Sequence, residues 1–125
     1  MDSKKILVVD DEQDIADLLA KKLESEGFET IKAYRGYDAV EKVKLFLPDI
    51  ILMDILLPDM DGAEVVRIIQ KHPATKNIPI VFLSGIVTED RKGSPEQIVV
   101  GDRRYDAIGK PFEFNELMEV IQKLI

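Results

Sequence analysis

Apolar runs that each stop on a chemically active residue constrain this chain most. Ile6-Leu7-Val8-Val9 stops on Asp10-Asp11, Ile50-Ile51-Leu52-Met53 on Asp54, and Ile80-Val81-Phe82-Leu83 on Ser84. A fourth segment, Tyr105 to Gly109, runs into Lys110-Pro111. Short continuous apolar runs suit strands that are covered on both faces of a parallel sheet. Parallel strands deliver their last residues to one end of the sheet. Three aspartates, a serine and a lysine are therefore expected to converge there.

Helical patterns separate the runs. Ile15, Leu18, Leu19 and Leu23 recur at helical spacing, and Gly27 supplies the stop. Phe28 to Ala33 reads as a weaker strand whose polar residues Glu29, Thr30 and Lys32 suit an edge. A second helix is expected over Gly36 to Phe46, with Val40, Val43 and Leu47 apolar, then a strand over Asp49 to Met53. Pro58-Asp59-Met60-Asp61-Gly62 reads as a turn. A third helix carries Val65, Val66, Ile68 and Ile69, and a fourth strand covers Ile78 to Leu83. The last helix starts near Glu113, with Phe114, Leu117, Ile121 and Leu124 on its core face. Between Ser84 and Lys110 the pattern is irregular: Gly93-Ser94-Pro95 interrupts a helix, and a short helix is expected over Glu96 to Val100. Tyr105 to Gly109 is expected as the fifth strand.

Strict β-α alternation implies an α/β, flavodoxin-like, doubly wound fold. It predicts a five-stranded parallel sheet in the order 2-1-3-4-5, helices on both faces and an irregular fourth helix. Ligands in such sheets bind where the chain reverses direction, outside the carboxyl ends of strands one and three. Asp10, Asp11 and Asp54 fall there.

At 125 residues the chain forms one domain over 1–125, large enough to bury a core unaided. It has no Cys and one His, His72, which precedes Pro73 and reads as a surface residue. That excludes a disulfide framework, a thiolate centre and a Cys nucleophile, and argues against zinc or copper. The net charge of −7 argues against direct nucleic acid binding. No run is long enough to span a membrane, and the N-terminus is too short for a signal peptide, so a cytoplasmic protein is expected.

Three clustered carboxylates repel one another and call for a cation. Mg²⁺, or Mn²⁺ in its place, suits hard oxygen ligands and leaves coordination positions for a phosphate. An aspartate can then act as nucleophile toward a phosphoryl group, with an ammonium and a hydroxyl meeting the charge on its oxygens. Singly, each residue has a plainer reading. Asp10-Asp11 suits helix capping, Asp54 precedes a turn, Ser84 alone says little, and a lysine before proline is usually a solvated loop residue. Their placement at the ends of different strands overturns those readings.

These stretches resemble the receiver domain of two-component response regulators. The resemblance rests on Ile6 to Glu12, Ile50 to Asp54 with Pro58 to Gly62, Ile80 to Gly85, and Lys110-Pro111-Phe112. It implies that Asp54 accepts a phosphoryl group from a sensor histidine kinase or phosphotransfer protein. Asp11, Asp54 and the Leu56 backbone carbonyl would hold the metal, with Asp10 acting through water. Lys110 would pair with the phosphate, Ser84 would move onto it, and the Lys110-Pro111 bond would be cis. A downstream effector protein would read the switched surface, and the chain itself would be a monomer or weak dimer. No output domain is visible. The domain would promote only its own phosphorylation and hydrolysis, with no separate enzyme substrate.

Some positions depart from the family. The usual switch aromatic, three residues before the lysine, is Ala107, and Tyr105 lies two residues earlier on the same side of an extended strand. Arg103-Arg104 replace a Gly-Ala pair. In this family the residues two past the phosphoacceptor and two past the serine flank the phosphoryl group; here they are Leu56 and Ile86, neither of which can orient a water, so the resemblance implies slow self-dephosphorylation. The competing reading is a pseudo-receiver that binds protein without being phosphorylated. A flavodoxin would need a phosphate loop where Asp10-Asp11-Glu12 stands, and an aspartate-nucleophile phosphatase an Asp two past its nucleophile. Neither is present.

Overall fold

A computed structural model of the chain describes residues 3–85 and 96–125, the Glu96 side chain excepted. Among the described residues, six strands and four helices follow in the order β1 (Lys5–Val9), α1 (Gln13–Ser25), β2 (Glu29–Ala33), α2 (Gly36–Phe46), β3 (Ile50–Asp54), α3 (Gly62–Gln70), β4 (Ile80–Ser84), β5 (Glu96–Val100), β6 (Arg103–Gly109) and α4 (Phe114–Leu124). They build one sheet in the order β2-β1-β3-β4-β6-β5. Its first five members are the parallel strands that the alternation predicts, with β6 in the fifth place.

The sixth strand was not expected. Glu96 to Val100 is not helical; it pairs antiparallel with β6, Ile98 opposite Tyr105 and Val100 opposite Arg103. The cause is local. Ile98, Val99 and Val100 are β-branched and favour a pleated surface. Gly101-Asp102 then closes a two-residue hairpin, Gly101 taking a φ of +65°. A positive φ at the first turn residue is what a type II′ hairpin requires, and glycine supplies it without steric cost. The irregular fourth helix expected further upstream, around Gly93 and Pro95, lies outside the described residues.

The sheet separates two packed layers. Alternation along β3 sends Ile51 and Met53 to a core shared with α2 and α3, and Ile50 and Leu52 to a core shared with α1 and α4. Leu117 and Ile121 of α4 are fully buried as expected, with Phe114 and Leu124 packed at the margin. β2 is the half-exposed edge that its polar residues predict. Leu47 departs from its apolar-face reading: it caps α2 in the left-handed region, with φ 47°, and is half exposed. His72 is exposed. Among the described residues no helix is long and apolar enough to cross a membrane.

Candidate functional site

Strand register builds the site. β1 and β3 pair with Val9 beside Met53, so the next residues, Asp10 and Asp54, emerge together at the carboxyl edge. β4 and β6 pair with Ser84 beside Gly109, which places Lys110 one residue further out. The Lys110 N–H donates to the Ser84 carbonyl at 2.9 Å, carrying the pairing past the strand end. The Lys110-Pro111 peptide is cis, as the resemblance implies.

Side chains from the far ends of the chain meet here. Lys110 Nζ lies 2.9 Å from Asp10 Oδ2 and 3.3 Å from Asp54 Oδ2. Carboxylate oxygens of Asp10, Asp11 and Asp54 all fall within 4.8 Å of one another. Asp10 is 3% exposed, Asp54 9% and Ser84 1%, whereas Asp11 faces solvent. The Glu12 N–H donates to Asp10 Oδ1 at 3.0 Å, and the Leu56 N–H reaches Asp54 Oδ1 at 3.4 Å.

Burial, reinforced by the charge of Asp10, pushes the Asp54 carboxyl above its ordinary value, although Lys110 and the Leu56 N–H pull the other way. For Lys110 burial opposes the charge, but the hydrogen bond and charge of Asp10, with the charge of Asp54, outweigh it and hold the ammonium above its usual range. Lys110 thus pairs with two of the three clustered carboxylates, and the three together are a donor set of hard oxygens that fits Mg²⁺ or Mn²⁺.

The β3–α3 loop folds back onto the end of β3. Gly62 N–H donates to Ile55 O at 2.7 Å, and a methyl group on Gly62 would sit 2.5 Å from the Asp54 carbonyl oxygen. Only glycine permits that approach. Asp61 accepts from Ala63 N–H at 2.9 Å and so caps α3. Asp59 accepts from Gly36 N–H at 2.8 Å and Tyr37 N–H at 3.0 Å. The sequence marks Asp59 only as a turn residue; its distant partners leave no trace in local spacing.

The two residues considered for the switch lie elsewhere. Ala107 pairs with Phe82 in mid-sheet and is fully buried. Tyr105 is further from the carboxylates. Its ring meets Phe82 edge-on at 6.0 Å, and its hydroxyl accepts from the Gln70 amide at 2.7 Å. That amide also donates to Val100 O at 3.0 Å, so the end of α3 fastens the β5–β6 hairpin. Ile86 lies outside the described residues.

A sheet with this strand order, ending in an acidic cluster faced by a lysine, defines a CheY-like α/β module. The family model for the response regulator receiver domain matches residues 6–122, and the chain belongs to that family, the receiver modules of two-component signalling. Solved structures agree. A putative response regulator from Chloroflexus aurantiacus is 30% identical, with 98% of each chain covered and a TM-score of 0.83. The chemotaxis protein CheY4 of Vibrio cholerae is 25% identical, covering 99% of this chain and all of that one, with a TM-score of 0.82. The signal receiver domain of a signal transduction histidine kinase from Syntrophus aciditrophicus is 29% identical, covering 98% of this chain and 89% of that one, with a TM-score of 0.79.

Proposed function

We propose that the chain is a phosphorylation-dependent switch that takes a phosphoryl group on Asp54 from a histidine kinase or phosphotransfer protein and presents a changed surface to an effector protein. The observation that carries this reading is the Lys110 ammonium bridging Asp10 and Asp54, with buried Ser84 at the end of the neighbouring strand. An Asp54 carboxylate oxygen attacks phosphorus, the phosphorus–nitrogen bond to the donor imidazole breaks, and the nitrogen leaves with the electron pair. Charge gathers on the phosphoryl oxygens in such a transfer. Lys110 meets it as a fixed cation and Ser84 as a hydroxyl donor. Hydrolysis returns the carboxylate and inorganic phosphate, so the domain acts only on itself.

Asp10, Asp11, Asp54 and the Leu56 carbonyl would hold Mg²⁺ or Mn²⁺. The bound ion supplies charge neutralisation between the carboxylates and the incoming phosphoryl oxygens. Phosphorylation adds up to about two negative charges, and Lys110 is the cation nearest to receive them.

Intact-mass spectrometry after incubation with Mg²⁺ and acetyl phosphate tests the reading. The wild type is expected to gain the mass of one phosphoryl group and Asp54→Ala to gain none. A wild type that gains none with acetyl phosphate and none from any phosphorylated kinase leaves the pseudo-receiver reading.

A further inference from the structure

The first turn of α2 exposes backbone N–H groups that helix geometry leaves unpaired. Its own N-cap residue, Arg35, offers no side-chain hydrogen bond to them. Both oxygens of Asp59 do so instead, one on Gly36 N–H and one on Tyr37 N–H. The helix is therefore capped from another loop, and the Asp59 anion sits on its positive end. Burial works against the Asp59 charge, but the N–H groups of Tyr37 and Gly36, with those of residues 59 and 60, more than compensate and hold the carboxyl below its usual range.

The same loop leads from Asp54 to α3. Its ends are secured by Gly62 on Ile55 and by the bridge that pairs Leu56 with Asp61. Asp59 secures its middle, and Met60 lies against the backbone of Gly36 beside it. Across the pocket, the Asp10 N–H donates to Ala33 O at 3.1 Å. The segment from Ala33 to Tyr37 therefore anchors both rims: Asp10 through its backbone, and the loop bearing Leu56 through Asp59.

We propose that Asp59 is a positioning residue for the acidic pocket, holding the β3–α3 loop and the Leu56 backbone in place by capping α2 from outside that helix. The inference rests on the reading of the pocket as a divalent-cation site. Asp59 touches neither the ion nor the phosphoryl group; it fixes the loop that does. Its loss lowers cation affinity while leaving Asp54, Lys110 and Ser84 in place.

The test uses the full chain with Asp59→Ala and Asp59→Asn. Mg²⁺ affinity is measured by calorimetric titration without a phosphodonor, and the phosphorylation rate with acetyl phosphate is followed against Mg²⁺ concentration. Asp59→Ala is expected to weaken Mg²⁺ binding about tenfold, as loss of a supporting outer contact does, while the rate at saturating Mg²⁺ stays near wild type. Asp59→Asn, which keeps one of the two acceptor oxygens, is expected to fall between Asp59→Ala and wild type. Wild-type affinity in a folded Asp59→Ala protein, or a fall in the saturating rate alone, overturns the proposal.

Amide hydrogen exchange in the metal-free proteins separates this inference from the cation reading. Asp59→Ala is expected to accelerate exchange at residues 55–61 and at 36–37 above the rest of the chain. If the wild type binds no Mg²⁺, the cation reading fails while that local acceleration still supports the tether. Unchanged exchange at those residues overturns it.

Discussion

Lys110 and Asp10 stand 100 residues apart in sequence and 2.9 Å apart in space, closer than Lys110 stands to Asp54 at 3.3 Å. The ammonium is the neutralising partner of a buried carboxylate, and under the proposed function it is also the group that would meet the phosphoryl oxygens.

Opposite charge changes in the pocket should therefore move stability in opposite directions. In buffer free of divalent cations, Lys110→Ala should lower stability by about 1–3 kcal/mol, because it strands Asp10 beside two further carboxylates. Asp54→Asn should raise the melting temperature by about a few degrees. The folded chain holds the Asp54 proton more tightly than the unfolded chain does, so its ionisation costs stability as pH rises above the ordinary value of 3.8. The advantage of Asp54→Asn should thus be greatest near neutral pH and vanish in acid. Thermal unfolding of the three proteins across pH checks both signs.

Two glycines beside the β3–α3 loop should respond differently to a methyl group. At Gly62 the obstacle is the Asp54 carbonyl, a backbone atom that cannot move without disturbing the strand end. Gly62→Ala should cost about 1–3 kcal/mol. At Gly36 the obstacles are side chains, Met60 with Val65 Cγ2 at 3.1 Å, so Met60 must shift, while alanine gains up to about 1 kcal/mol of helix propensity. Urea midpoints should fall clearly for Gly62→Ala and little for Gly36→Ala.

Gln70 is expected to hold the β5–β6 hairpin. Gln70→Ala leaves the buried Tyr105 hydroxyl and the Val100 carbonyl without this donor, at a cost of about 1–3 kcal/mol. Amide exchange across residues 96–109 should accelerate. Tyr105→Phe should do less, because Gln70 keeps Val100. Wild-type exchange in Gln70→Ala would mean the clasp contributes nothing.

Phosphoryl lifetime should depend on Leu56, whose side chain is 64% exposed two residues past Asp54. Leu56→Asn combined with Ile86→Glu should speed decay of the phosphorylated mass after the donor is removed, because polar groups can orient an attacking water. Identical decay in wild type and variant sinks the idea.

Asp10 with Asp11, Asp54 and Ser84 were readable because each follows an unmistakable apolar run, whereas Lys110 follows the more mixed segment Tyr105 to Gly109. Register does the rest, since adjacent parallel strands bring their terminal residues together. Asp59 and Gln70 were not readable, because their partners lie 22 or more and 30 or more residues away and obey no local period. The hairpin was readable in principle. Ile98-Val99-Val100, then Gly101-Asp102, then Arg103-Arg104-Tyr105 is a strand–turn–strand pattern, and the expectation of another helix in that stretch obscured it.

The sheet that divides the two cores also divides the protein's obligations. A change in Met53 is felt by α2 and α3, and a change in Leu52, its neighbour in sequence, by α1 and α4. The charged pocket lies on the rim where both layers end. Each outer surface can thus acquire substitutions against its own contacts without a matching adjustment on the opposite side.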